Sequence, residues 1–178
     1  MNQKQIEIHL HEYDKLADEI VARIGFRDNL LYVTLAAYGG VIAFILEKSN
    51  YFSLLALPLV SIILGWAYLV NDTKVSAIGK YIRSNLEPKL KKLAGSNEEI
   101  AFFEWEWFHR NDKHRVRRKI EQCLIDIVVF VGSGAGSLVA FSMLTQNQLP
   151  HVCWIVFVEA ALLAGLFFEI IIYAEIKK

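Results

Sequence analysis

Segments 30–46, 51–70, 124–145 and 152–173 are long apolar runs almost without charge. A bilayer core about 30 Å thick is crossed by roughly 20 apolar helical residues, and each run is close to that length. Within 54–70 and 127–144 there is no charged residue at all. The competing fold, a water-soluble four-helix bundle, needs a polar face at 3.6-residue spacing on every helix, and these segments have none. The sequence therefore predicts an all-α integral membrane protein with four transmembrane helices. Composition agrees: 54% of residues are hydrophobic, against roughly 45–50% in soluble domains.

The connections 47–50 and 146–151 are short, and Pro150 marks the turn into the last span. Such loops force antiparallel neighbours, so the spans are expected as two hairpins. The expected organisation is a cytoplasmic amphipathic helix at 1–28, a first transmembrane hairpin at 29–71, a helical cytoplasmic insert at 72–123, a second hairpin at 124–173 and a cytoplasmic tail at 174–178. The first 28 residues are rich in charge and lack the short apolar core of a cleavable signal. Segment 30–46 is thus expected to stay as an anchor.

Net charge is zero, with 19 basic and 19 acidic residues, but the bases are segregated. Of the 19 Lys and Arg residues, only Lys48 falls in a hairpin loop; the others lie in the arm, the insert and the tail. Bases collect on the cytoplasmic side. Both termini and the insert are therefore expected in the cytoplasm, with the bacterial inner membrane as the location.

Lipid gives no hydrophobic drive between helices, so small residues decide how closely they approach. Candidate ridges are Gly132, Gly136 and Ala140; Ala36 and Gly40; Ser61 and Gly65; and Ala161 and Gly165. The glycine-rich run at 132–137 is no phosphate cradle, because it lies in mid-span and lacks the following Lys-Ser/Thr. Cys123 and Cys153 are expected near opposite membrane faces, as unpaired apolar fillers.

Four positions are candidates for pore lining or gating. Pro58 should kink the second span by removing a backbone hydrogen bond. Glu159, Asp126 and Glu169 are carboxylic groups inside apolar runs, where a charge is costly unless it meets water, a base or a protein interior. Glu159 is the most anomalous, either a pore-facing or proton-accepting group or a protonated or hydrogen-bonded packing residue at a helix interface. Water should reach Asp126 and Glu169 near the inner boundary.

In the arm, Ile6, Leu10, Tyr13, Leu16 or Ala17, Ile20 and Ile24 recur at helical spacing. Its other face holds Glu7, Glu12, Asp14, Asp18 and Glu19. An acidic face suits docking on protein rather than on an anionic bilayer. The insert is expected to begin by continuing the second span, with a stripe of Val75, Ile78, Ile82, Leu86, Leu90 and Leu93 and a bend at Pro88. After a break at 94–97, Ser96 and Glu99 fit a capping box for a second helix. Five aromatic residues follow within 102–108, namely Phe102, Phe103, Trp105, Trp107 and Phe108. They either anchor at the bilayer interface or build a cytoplasmic core.

Next come Arg110, Lys113, Arg115, Arg117, Arg118 and Lys119, six bases with one acid, Asp112. Three roles fit: a lipid-headgroup anchor, an internal partner for the acidic arm, or a binding site for a nucleotide or oligonucleotide, whose phosphates Arg pairs well. No catalytic constellation is evident. His9 and His11 point to different helix faces, and His109 and His114 complete no site. The chain is expected to be no enzyme, with no metal and no cofactor.

The run 71–83, followed by Leu86-Glu87-Pro88 and the Trp105-Glu106 pair, resembles a group of small bacterial membrane proteins. The layout, an N-terminal helix and two hairpins around an insert, resembles membrane effectors of bacterial antiphage defence, with the Hailong-type channel effectors nearest. The resemblance is one of layout across the chain and assigns no ligand residue. It implies a homo-oligomeric channel, for instance a tetramer, silent at rest and opened by a nucleotide or oligonucleotide signal from a soluble signal-synthesising partner. Four spans rarely enclose a pore alone, so a cyclic homo-oligomer follows. The rivals are a membrane-anchored adaptor that recruits a soluble partner and a small proton-coupled transporter using Glu159.

Overall fold

The computed structural model describes residues 2–95, 103, 114–145 and 150–174. All regular structure among them is helical. Four helices are long and apolar enough to cross a membrane, one in each expected segment.

Helix α1 spans Asn2–Lys48 without a break. The sequence suggested an arm and a span, yet one helix serves both. Gly25 costs a helix only about 1 kcal/mol relative to Ala, too little to stop it between two long apolar-periodic stretches. Ser49, at a positive φ of 53°, ends it. Asn50 then caps a 3₁₀ turn at Tyr51–Leu55, its side chain accepting from the Phe52 amide.

Helix α2 spans Ala56–Tyr81. Its start places Pro58, the expected kink, in the first turn after the 3₁₀ segment. That proline lies in the first turn of α2, where amides have no partner within the helix, so its missing N–H removes nothing. It is instead one of the fully buried side chains. A π-helical turn, Ile82–Leu86, follows α2 and leads into α3, Glu87–Ala94. The irregularity precedes Pro88 for a local reason. Proline has no N–H and crowds the carbonyl four residues back, and the widened turn moves that carbonyl away; Glu87 N–H bonds Ile82 O instead. Gly95, at φ 65°, ends α3 in the left-handed conformation that glycine adopts without strain.

Helix α4 spans Arg115–Asp126, a second π-helical turn covers Ile127–Gly132, and α5 spans Ser133–Leu144. Helix α6 spans Pro150–Tyr173 with proline at its first position.

The chain divides into two compact units. The arm unit is Met1–Arg27 with Asn71–Val116, and the apolar unit is Asp28–Val70 with Arg117–Lys178.

In the apolar unit, three buried clusters join α2 and α6, the first through the π-helical turn Ile127–Gly132 and the other two through α5. Phe130, Tyr68, Leu166 and Ile170 form one with Leu30. Ile62, Leu138 and Leu163 form the second, and Leu54, Leu57, Phe141 and Val152 the third. Two glycines permit the approach. A Cβ on Gly65 would lie 2.7 Å from Leu166 Cδ2 and 3.2 Å from Phe130, and one on Gly134 would lie 3.0 Å from Leu163. The small-residue ridges are thus used selectively. Ser61 and Gly65 pack within the unit, whereas Gly40, Gly136 and Gly165 face open space.

Candidate functional site

The arm unit holds its first helix by polar contacts to the start and the end of the α2 extension. Arg23 Nη1 donates to Asn71 Oδ1 at 3.3 Å, and Asn71 Nδ2 donates back to the Arg23 carbonyl at 2.6 Å. Arg27 Nη1 reaches Asp72 Oδ1 at 3.1 Å. Further along, Tyr81 donates to Glu12 Oε1 at 2.7 Å. Contacts that move down α1 as they move up α2 mean the two stretches run antiparallel. The acceptors and donors sit on one face of α1 because positions three and four apart are neighbours on a helix. Arg23 is braced on that face by Glu19, at 2.6 Å.

His9 Nδ1 lies 3.1 Å from the other Glu12 oxygen. The Tyr81 hydroxyl, and secondarily His9, holds the Glu12 carboxyl below its ordinary range. The same hydrogen bond to Glu12 pushes the Tyr81 phenol up. Next to Glu12, the ring of Tyr13 stacks on Phe103, with centroids 3.9 Å apart and planes 16° from parallel. Phe103 has φ 58°, a left-handed conformation uncommon for a bulky residue, held here by this stack.

The expected aromatic group is therefore resolved at one member. Phe103 packs on protein, as a core residue would. Phe102, Trp105, Trp107 and Phe108 lie outside the described residues, as does the Ser96–Glu99 capping box. The expected docking of the arm has partners the sequence did not name: Asn71, Asp72, Tyr81 and Phe103. The exposed acids Glu7, Asp14 and Asp18 are left on the outside.

Of the basic run, Arg110 and Lys113 lie outside the described residues. Arg115 opens α4. Arg117 pairs with Glu121 one turn on, at 2.8 Å. Both side chains are exposed, so the pair adds little stability and Arg117 stays accessible. Arg118 is exposed and Lys119 half-buried.

In the apolar unit the buried polar side chains are mostly self-satisfied. Thr34 donates to the Leu30 carbonyl at 2.7 Å, and Ser137 to that of Gly134 at 2.7 Å. The Tyr38 and Ser61 hydroxyls meet at 2.6 Å. Gln122 donates to Asp126 Oδ1 at 2.9 Å and also bonds the Tyr68 hydroxyl. Asp126 is thereby buried and hydrogen-bonded, 6% exposed, rather than open to water as expected. Gln122, one turn before it on α4, links it to Tyr68 just before the π-helical turn. Glu169 is half-buried.

Glu159 differs from these. It is 2% exposed, on the same face of α6 as Val152, Leu163 and Leu166. Its Oε2 atom has no hydrogen-bond partner among the described residues. The chain's own residues bury it, so it does not face outward. Cys123 and Cys153 form no disulfide with each other; Cys123 is half-buried, and Cys153 is exposed, not a filler as expected. Among the described residues no group of His, Cys, Asp and Glu is placed to hold a metal ion.

No protein-family model, curated protein or solved structure matches the chain.

Proposed function

We propose that the chain is an integral protein of the bacterial inner membrane, its four apolar helices forming two transmembrane hairpins with both termini in the cytoplasm. We further propose that it works as a homo-oligomeric channel opened from the cytoplasmic side by an anionic ligand, a nucleotide or oligonucleotide, in defence against phage. The observation that carries this reading is helix α1. It is unbroken from the arm clasped by Asn71, Asp72 and Tyr81 to the apolar stretch ending at Lys48. A ligand that changes what holds the arm therefore acts on a helix that also crosses the membrane.

Three features support the parts of the proposal. Large apolar side chains, among them Leu35, Leu46, Ile63, Val128, Met143 and Ile172, are exposed in the protomer, more than a soluble monomer leaves uncovered. Gly40, Gly136 and Gly165 face open space, leaving room for helices of other subunits. The basic run offers Arg117 and Arg118 to phosphates. The ligand opens the pore only through tighter binding to the open state.

The test is ion flux from liposomes containing the purified protein, with nucleotides and short oligonucleotides added on the arm side. Flux that depends on one of them supports the channel. A sealed liposome under all of them, with a monomeric protein in detergent, favours the adaptor. That second reading draws on the exposed acids Glu7, Asp14 and Asp18, which the arm unit leaves for a soluble partner.

A further inference from the structure

We propose that Glu159 is a proton-binding site of the apolar unit, occupied while the unit is packed. The unit therefore binds the proton, and the proton stabilises the packing. The proposal rests on the membrane reading but not on conduction.

Among the described residues, no cation or hydrogen-bond donor meets the Glu159 Oε2 atom. One turn to either side on α6, Val156 and Leu163 pack into the buried clusters. Those clusters draw on α2 through Leu57 and Ile62, on α5 through Leu138 and Phe141, and on α1 through Tyr38 and Val41. No Asp, Glu, Lys or Arg occurs in 29–46, 51–70 or 127–158. The one titratable group in the clusters is the Tyr38 phenol, already bonded to Ser61 at 2.6 Å. On α6 itself, His151 and Cys153 are exposed near the start and Glu169 lies toward the end. Among the described residues Glu159 thus has no cation, and its Oε2 has no donor.

A carboxylate enclosed without a cation or donors is destabilised far more than the neutral acid. A neutral acid is a small polar group that can sit beside a serine or a carbonyl. The packed unit therefore prefers the protonated side chain. Linkage fixes the converse: a ligand bound only by the packed state stabilises that state. Raising the pH removes the proton and disfavours the packing, while lowering it favours the packing.

The test is infrared spectroscopy of the full chain in phosphatidylcholine–phosphatidylglycerol vesicles, comparing wild type with Glu159→Gln. Membrane insertion is measured separately by alkaline carbonate extraction, so a protein that fails to insert sinks the membrane reading and not this site. The expected result is a carboxylic-acid carbonyl band at neutral pH in the wild type that Glu159→Gln removes. If Glu159→Gln does not fold, Glu159→Asp keeps the acid and should shift the same band. In either variant, wild-type and variant spectra that agree in this region overturn the proposal. The carboxylate would then be ionised and held by a cation from another subunit.

Discussion

The Tyr81 hydroxyl donates to the Glu12 carboxylate at 2.7 Å, although the two residues are 69 positions apart. This bond ties the far part of the arm to the last residue of α2, immediately before the π-helical turn at Ile82–Leu86. Helical segments interrupted by a π turn often lie at functional positions, and here the interruption adjoins the arm's outermost clasp.

Tyr81→Phe keeps the ring and removes the donor. A hydrogen bond of this kind contributes about 1 kcal/mol, so backbone amides near Glu12 should exchange about fivefold faster, since the arm opens locally. Exchange at α6 amides should not change. Equal rates in the arm would mean that the Tyr13–Phe103 stack and the Asn71 and Asp72 contacts hold it without this bond.

The clasp has a defined pH window. Glu12 is held below its ordinary value, so its contribution is present above that value and lost as pH falls through the lowered one. Tyr81 is raised, so its contribution is present below its ordinary value and lost as pH rises through the higher one. The clasp is expected to be intact across the neutral range and to weaken only in strong acid or strong alkali. Ultraviolet titration of tyrosinate absorbance, wild type against Tyr81→Phe, should show one phenol ionising late. A Tyr81 that ionises with the exposed tyrosines would contradict this.

Asn71 is 4% exposed and exchanges two hydrogen bonds with Arg23. Asn71→Leu leaves the Arg23 carbonyl without that donor and buries an apolar group beside a guanidinium. The expected loss is about 1–3 kcal/mol, read as a lower melting temperature in detergent. If the channel reading holds, the same variant should leak ions without ligand.

Gly65 and Gly136 should behave oppositely. At Gly65 an added methyl meets Leu166 and Phe130, and overpacking of this kind costs about 1–3 kcal/mol. At Gly136 the methyl meets nothing within 4 Å, and alanine is the better helix former. Gly65→Ala should lower the melting temperature of the protomer. Gly136→Ala should preserve it but, if the chain oligomerises as proposed, shift the oligomer distribution in crosslinking or native mass spectrometry. An unchanged distribution would remove this face from the subunit contact.

Reversing Arg115, Arg117 and Arg118 to Glu tests the ligand site. Arg117 contributes one exposed pair, with Glu121, worth about 0–1 kcal/mol, so its share in folding is small. If the channel reading holds, ligand-evoked flux should be lost while the melting temperature stays within a few degrees. Flux that survives the triple reversal would move the ligand elsewhere.

Local patterns in the chain already located the four apolar helices, the continuation of α2 into the insert and the stop after Ala94. Hydropathy, periodicity and glycine act over one or two turns, and those features need nothing more. Pro58 shows the limit. Whether a proline kinks a span depends on where the helix begins, and the 3₁₀ turn capped by Asn50 moved that start to Ala56. The glycine-rich run shows it again. Sequence put Gly132 and Gly136 at the contact, but the rotation of α5 against α2 and α6 placed Gly134 there instead.

By itself the sequence determined an all-helical chain with four stretches long and apolar enough to cross a membrane, because apolar length and missing charge leave no other way to satisfy the backbone. Only the tertiary structure decided that Glu12 meets Tyr81, that Tyr68 meets the Gln122 bonded to Asp126, and that Glu159 is buried with no hydrogen-bond partner for Oε2 among the described residues. Each depends on the crossing and register of helices distant in the chain, which no local pattern of residues encodes.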